Sequence, residues 1–214
     1  MRYRHILAES VTKRPWTFYH GSNSAAFQQF DPTQAAKGEQ YWNPLGHGMY
    51  ATNNPRFAGE FGSNVYKVLI PAGSSYRRMN QQTWQNVTGE GVVMRALARA
   101  FKKKGQRFDR WSDSNWAFRR DLQRVLSSND PYTSLHESAA LVQMHYPDFA
   151  DAYEAALPEV TNATFGKFDF VVFTDTNDPI GFNGQPTWEV VIFNPALQKA
   201  EPIDREEWRT LRYG

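Results

Sequence analysis

The chain has 214 residues, of which 41% are hydrophobic and 15% aromatic, and its formal net charge is +2 at neutral pH. This length and composition are typical of one globular domain with a real core, and they argue against intrinsic disorder. The absence of cysteine excludes disulfides, thiol nucleophiles and thiolate metal sites. Since there is no apolar run of membrane-spanning length and no apolar signal core, we expect a soluble, cytoplasmic protein without a membrane partner.

Residues 15–76 are predicted to form short strands and turns. Three runs rich in β-branched and aromatic residues are typical of strands: WTFYH (16–20), GMYAT (48–52) and NVYKVLI (64–70). Between the last two, Asn54 offers an N-cap and Pro55 fits the first helical position. Residues 56–61 are therefore predicted to form a short helix that ends at Gly62.

Residues 81–160 are predicted to be helical. VVMRALARAFKKKG (92–105) and SNWAFRRDLQRVL (114–126) each carry an apolar stripe at helical spacing, and Gly105 is expected to end the first helix. Ser134 and Glu137 have the spacing of a capping box, and Pro158 is expected to end a last helix. The stripes comprise Val93, Leu97, Ala100 and Phe101 in the first helix, and Phe118, Leu122, Val125 and Leu126 in the second.

Strand character returns in KFDFVVFTD (167–175) and TWEVVIFNP (187–195), which a turn-rich segment separates. Strands, then helices, then strands predict an α+β domain with a helical insertion at about residues 81–160. We therefore interpret residues 1–214 as a single domain.

The charges are unevenly distributed. Residues 95–124 contain ten Lys or Arg and three acids, whereas residues 125–166 contain six acids and neither Lys nor Arg. The cations, among them Lys102, Lys103 and Lys104, can form a solvated helix face or a docking surface for a protein or nucleic-acid acceptor. Trp111 and Trp116, which lie among arginines, can stack on bases or belong to the core.

Several familiar motifs are incomplete. GHGMYA (46–51) and GEGVVMRA (89–96) begin like dinucleotide-binding turns, but neither lies within a βαβ pattern. His136-Glu137 starts like a zinc-protease helix, but Ala140 stands where the second histidine would be. A Walker A sequence and a GxSxG elbow are both absent, and five scattered histidines predict no metal site.

Three residues remain as candidates. His20 ends a strand and precedes Gly21, a residue that lets a ligand lie against the backbone. Tyr50 is surrounded by small residues, and Glu189 begins the apolar strand EVVIF, where a carboxylate is costly unless it is paired or used. Taken singly, His20 and Tyr50 are typical of structural residues. Taken together with Glu189, they favour a functional site.

FYHGS (18–22), GHGMYAT (46–52) and WEVVIF (188–193) resemble the His-Tyr-Glu signature of ADP-ribosyltransferases related to diphtheria toxin and poly(ADP-ribose) polymerases. The resemblance covers residues 16–76 and 165–199. It implies a split β-sandwich of two packed, mostly antiparallel sheets, into which the helical segment is inserted. It also implies NAD⁺ as co-substrate and no metal.

The resemblance assigns a role to each matching residue. His20 would hold the adenosine-side ribose hydroxyl, and the backbone of Gly21, followed by Ser22, would pair with the nicotinamide carboxamide. Tyr50 would stack on one face of the nicotinamide ring, and Phe61 would stack on the other face. Ala58 stands where polymerase relatives have a serine that bonds the carboxamide. Glu189 would bond the nicotinamide ribose and stabilise the cationic transition state.

The implied function is transfer of a single ADP-ribose from NAD⁺ to a macromolecular acceptor. Thr187, two residues before Glu189, differs from the Glu or Gln with which arginine-modifying members of a sister group direct the acceptor, so a protein and a nucleic acid both remain open. A toxin, an immune effector and a phage factor are all compatible roles. The alternatives are an NAD⁺ glycohydrolase with the same pocket and a non-catalytic interaction module on the same fold.

Overall fold

The computed structural model describes residues 10–23, 44–80, 83–84, 89–109, 115–128, 131–174, 186–197 and 199–213. Within these residues, eight strands form one sheet and six α-helices accompany it. The elements follow one another as β1 (Ser10–Val11), β2 (Trp16–Ser22), β3 (Met49–Thr52), α1 (Pro55–Ala58), β4 (Asn64–Ile70), β5 (Ser75–Met79), α2 (Glu90–Lys103), α3 (Trp116–Ser128), α4 (Pro131–His145), α5 (Ala150–Phe165), β6 (Phe170–Phe173), β7 (Glu189–Ile192), β8 (Ala200–Pro202) and α6 (Arg205–Tyr213).

The strands lie in the order β1-β5-β6-β7-β3-β2-β4-β8. β5 and β6 run parallel, and all other neighbours are antiparallel. The expected mixture of strands and helices is therefore confirmed. The strands belong to one continuous sheet, so the expected sandwich of two separate sheets is not confirmed.

The sheet is strongly curved. Three strand spacings separate β2 from β6, which would be about 14 Å in a flat sheet. The rings of Phe18 on β2 and Phe170 on β6 are nevertheless only 5.8 Å apart, and Trp16 lies 5.1 Å from Tyr76 on β5. The two halves of the sheet thus face each other across an apolar interior that includes Phe18, Phe170 and Ile192.

Alternation along the strands divides the apolar residues between two cores. On β6, Phe170 and Val172 point into the interior of the curved sheet, whereas Val171 and Phe173 belong to the core formed with the helices. That second core draws on α2, α3, α4 and α5 as well as the outer sheet face. The helical segment therefore covers the outer face of β6 and β7.

The predicted short helix is confirmed at its start. The Asn54 side chain accepts hydrogen bonds from the backbone N–H groups of Arg56 and Phe57, and Pro55 takes the first helical position. The helix ends at Ala58, earlier than the predicted Phe61. Phe61 accordingly lies in the turn before β4 rather than on the helix.

Two boundaries in the helical segment differ from the sequence prediction. Ser134 lies inside α4, buried, with its hydroxyl donating to the Val125 carbonyl, because the helix already begins at Pro131. Pro158 lies inside α5, which continues to Phe165. Val160 and Phe165 are buried beyond the proline, so continued packing offsets the hydrogen bond that the proline removes. The end of α2 at Lys103, followed by Gly105 at φ +72°, is confirmed.

Candidate functional site

The three signature residues lie on three adjacent strands. His20 is on β2, Tyr50 on β3, and Glu189 is the first residue of β7. The register places Thr52 opposite both Tyr19 and Glu189. The pairing thus brings Tyr19, Thr52 and Glu189, which lie far apart in the sequence, to one level of the sheet.

β2 and β3 separate at this level. Their register consists of the single pair Tyr19 and Thr52, whereas β2 and β4 are paired along all seven residues of β2. Beyond that pair, the His20 side chain reaches across instead, and its Nδ1 lies 2.6 Å from the backbone oxygen of Tyr50. The candidate site therefore lies where the sheet opens.

Burial determines the charge state of His20. Desolvation lowers the pKa of the imidazole, and it outweighs the hydrogen bond to the Tyr50 carbonyl, which raises it. The ring is therefore neutral at pH 7. Because a carbonyl only accepts, Nδ1 carries the proton and donates, which leaves Nε2 as an acceptor. An acceptor nitrogen at this position suits a hydroxyl donor.

Tyr50 and Glu189 point toward the same side of the sheet. Tyr50 pairs with Val191, two residues along β7 from Glu189, so the two side chains are diagonal neighbours about 7–8 Å apart. The Tyr50 ring is half-buried against the core formed with the helices, and its hydroxyl donates to the Gly46 carbonyl over 3.4 Å. Glu189 is half-buried as well.

Gly21 has a structural reason to be glycine. A Cβ at this position would overlap the Ala58 carbonyl oxygen at the end of α1, far inside van der Waals contact. A side chain at Gly62 would likewise overlap the backbone of Ser22. The end of β2 and the segment 58–62 are therefore packed backbone to backbone, and Ala58 itself is buried.

Phe61 lies beside this contact and is 59% exposed. Its ring packs edge-on against Phe57, with centroids 5.0 Å apart. Together with Asn23 and Ser63 it lines a shallow cavity of about 400 Å³. Phe61, the second of the two aromatic residues expected to stack on the nicotinamide ring, is thus a surface residue next to the end of β2.

The residues that hold the start of β7 were not predicted from the sequence as site residues. The amide of Asn54 donates to the Thr187 hydroxyl over 3.0 Å, and both residues are buried. The Asn53 side chain accepts from the Trp188 backbone N–H at 2.6 Å and donates to the Pro186 carbonyl. Two consecutive asparagines after β3 were the available signal, but they indicated only a helix cap. In the structure they position the residues directly before Glu189.

The basic segment is largely at the surface. Lys102, Lys103 and Lys104 are exposed at the end of α2. Trp116 is 64% exposed, and the Arg120 guanidinium lies over its ring at 5.1 Å, so this tryptophan is not part of the core. Trp111 lies outside the described residues. Docking of an acceptor on this segment stays a prediction.

Among the described residues, no group of three or more His, Asp or Glu side chains is arranged to hold a metal ion. None of the described helices is both long and apolar enough to span a bilayer. Location in the cytoplasm stays a prediction.

Comparison with known proteins gives little further information. The chain matches no protein-family model, and no curated protein is significantly similar to it. Its structure is similar to the crystal structure of an anti-CRISPR protein, with 13% sequence identity and a TM-score of 0.32, over 90% of this chain and 98% of that chain. A likeness this weak supports no assignment.

Proposed function

We propose that the chain is a mono-ADP-ribosyltransferase that cleaves NAD⁺ at the nicotinamide–ribose bond. The observation that carries the proposal is the placement of His20, Tyr50 and Glu189 on three adjacent strands near the point where β2 and β3 part, with His20 hydrogen-bonded to the Tyr50 backbone. Tyr50 and Glu189 share one face of the sheet, and the hydrogen bond of His20 holds its ring beside the Tyr50 backbone.

The state of His20 supports binding of a ribose. A neutral imidazole whose Nδ1–H is held by the Tyr50 carbonyl presents Nε2 as an acceptor in a fixed orientation. A ribose hydroxyl can donate to that nitrogen. The Tyr50 ring, on the next strand, would stack on the cationic nicotinamide, an interaction worth about 0.5–2 kcal/mol.

The position of Glu189 supports the chemical step. A carboxylate at the start of β7, diagonal to Tyr50, would accept from the 2′-hydroxyl of the nicotinamide ribose and stabilise the positive charge that develops there. The C1′–N bond breaks and its electron pair leaves with neutral nicotinamide. The acceptor nucleophile forms the new bond to C1′, and its proton passes to water.

The curvature of the sheet is compatible with the fold that the resemblance implies. β2 and β3 share one registered pair, and the two halves of the sheet enclose a common core. We interpret the halves β1-β5-β6-β7-β3 and β2-β4-β8 as the two sheets of a split sandwich, joined at Tyr19 and Thr52.

Incubation with NAD⁺ labelled in the adenine, in the presence of a cell lysate, tests this function. Digestion with protease and with nuclease then separates label on protein, label on nucleic acid and free ADP-ribose. We expect label on a macromolecule with the wild-type chain and none with Glu189→Gln. Free ADP-ribose alone would instead identify a glycohydrolase. NAD⁺ left intact under every condition would contradict both enzymatic functions and favour a binding module.

A further inference from the structure

A second cleft lies at one end of the space between the two halves of the sheet. Its volume is about 1110 Å³, slightly above the range usual for small-ligand pockets. Its walls come from the segment that links β1 to β2, from β5, and from the residues that follow β3 and precede β7. We call it the aromatic groove. Its wall includes Lys13, Arg14, Trp16, Asn53, Tyr76 and Trp188.

Three aromatic rings line the aromatic groove. Trp16 lies 5.1 Å from Tyr76 and 6.0 Å from Trp188. All three side chains are half-buried, so each contributes both to the packing of the interior and to the groove wall. Flat rings grouped in a cleft suit flat, unpaired bases, because every base has a face on which an aromatic side chain can stack.

Three cations surround the same rings. Lys13 and Arg14 lie on the wall and are exposed, and the guanidinium of exposed Arg78 lies over the Trp188 ring at 5.1 Å. None of the three forms a salt bridge within the described part of the chain. The positive charge around the groove is therefore uncompensated there, which fits a polyanionic ligand.

Trp188 supplies an independent observation. Its indole N–H is shielded from water and has no hydrogen-bond acceptor among the described residues. A buried donor without a partner is uncommon in folded proteins and calls for an explanation. Because this N–H is shielded even from water, a base-edge or phosphate oxygen in the groove reaches it only if the indole shifts when the ligand binds.

We propose that the aromatic groove binds single-stranded nucleic acid, with its bases against Trp16, Tyr76 and Trp188 and its phosphates near Lys13, Arg14 and Arg78. The observations favour this ligand over an acidic peptide because the cations surround aromatic rings instead of an apolar pocket. They also favour the groove over the exposed lysines of α2 as the site where a nucleic acid binds. In the groove, Trp16 lies within 6.0 Å of two further rings, whereas Trp116 is 64% exposed at the surface.

The groove adjoins the candidate active site through its wall. Asn53 follows Thr52, and Trp188 precedes Glu189. Successive strand residues face opposite sides of the sheet, so Trp188 faces the interior with the groove, whereas Glu189 faces the helices with Tyr50. The groove is therefore a neighbouring site on the other face of β7, and binding there does not rest on the proposed function.

Binding is measured without NAD⁺, by fluorescence anisotropy of labelled oligo(dT) and oligo(U). Three phosphate contacts predict that the logarithm of the binding constant falls with the logarithm of salt concentration with a slope of about −2. Lys13→Ala/Arg14→Ala should bring the slope to about −0.7 and weaken binding at low salt. Lys102→Ala/Lys103→Ala removes the same charge from α2 and should change neither quantity.

The rings are tested with Trp188→Leu and Trp188→Phe. Loss of one stacked base weakens binding by roughly five- to a hundredfold, so Trp188→Leu should lose binding while Trp188→Phe keeps most of it. If Lys13→Ala/Arg14→Ala and Lys102→Ala/Lys103→Ala weakened oligonucleotide binding equally, the attraction would be nonspecific and the proposal would be overturned. Displacement of the oligonucleotide by polyglutamate or by duplex DNA at equal charge concentration would overturn it as well.

Failure of this proposal is distinguishable from failure of the proposed function. NAD⁺ cleavage that requires Glu189, without any oligonucleotide binding, would leave the transferase proposal standing and refute the groove. Oligonucleotide binding that depends on Lys13 and Arg14, without NAD⁺ cleavage, would support the groove and refute the transferase.

Discussion

His20 donates from Nδ1 to the backbone oxygen of Tyr50 over 2.6 Å, and this contact joins two strands whose register ends one residue earlier. A side chain thus takes the place of a backbone hydrogen bond at the point where the sheet opens. It also fixes the tautomer of the ring. The histidine therefore has both a structural role and a proposed binding role.

Glu189→Gln should retain NAD⁺ binding but lose roughly 10²–10³-fold in turnover, because the lost charge acts mainly in the transition state. The measurement is NAD⁺ consumption together with NAD⁺ affinity. Glu201→Gln is the matched control, since Glu201 is exposed on β8, four strands away from β7 in the sheet. Turnover near that of the wild type in Glu189→Gln would refute the catalytic assignment.

His20 should make folding less favourable in mild acid. Its pKa is lowered in the folded chain, so the unfolded chain binds the proton more readily as pH falls below about 6.5. The free energy of unfolding should be insensitive to His20 above that pH and should decrease below it, until the folded pKa is passed. Urea titrations between pH 7.5 and pH 5 measure this.

The control for that experiment is His20→Gln, which keeps a donor for the Tyr50 carbonyl but does not titrate. Its free energy of unfolding should fall less with acid than that of the wild type. Identical pH dependence in both chains would show that the imidazole is not desolvated in solution.

Tyr50→Ala should weaken NAD⁺ binding by several-fold to tens-fold, since stacking on a cationic ring is worth about 0.5–2 kcal/mol. ADP-ribose, which lacks nicotinamide, should bind as before. Phe61→Ala should have a similar but smaller effect, because Phe61 is 59% exposed and its contact with the ligand would stay partly open to water. Equal loss of NAD⁺ and ADP-ribose affinity in Tyr50→Ala would place the tyrosine elsewhere. His20→Ala, in contrast, should weaken the binding of both NAD⁺ and ADP-ribose.

Gly21→Ala should destabilise the fold by about 1–3 kcal/mol, because the added methyl group would overlap the Ala58 carbonyl and the backbone would have to move. Gly91→Ala is the control. A methyl group there meets nothing within 4 Å, and the position is helical, so the variant should gain about 0.5–1 kcal/mol. Chemical denaturation measures both. An unchanged free energy of unfolding in Gly21→Ala would mean that the contact with α1 is loose.

The sequence by itself determined the elements whose signal is local. WTFYH, NVYKVLI and EVVIF alternate or run apolar over the lengths that strands require, and Asn54-Pro55 specifies a helix start from two neighbouring residues. It also identified the three signature residues, since their types and strand contexts can be recognised without knowing what they contact. Their catalytic roles remain predictions.

The tertiary structure decided what depends on contacts between distant segments. SYRRM forms β5 because it pairs with β1 and β6, although its polar residues gave no strand signal. The helix α5 continues through Pro158 because burial on the sheet side offsets the lost hydrogen bond. The strand order, the opening between β2 and β3 and the aromatic groove likewise follow from pairing and curvature. The free energy of strand pairing and of burial is gained only when distant segments come into contact, so no local pattern in the sequence predicts it.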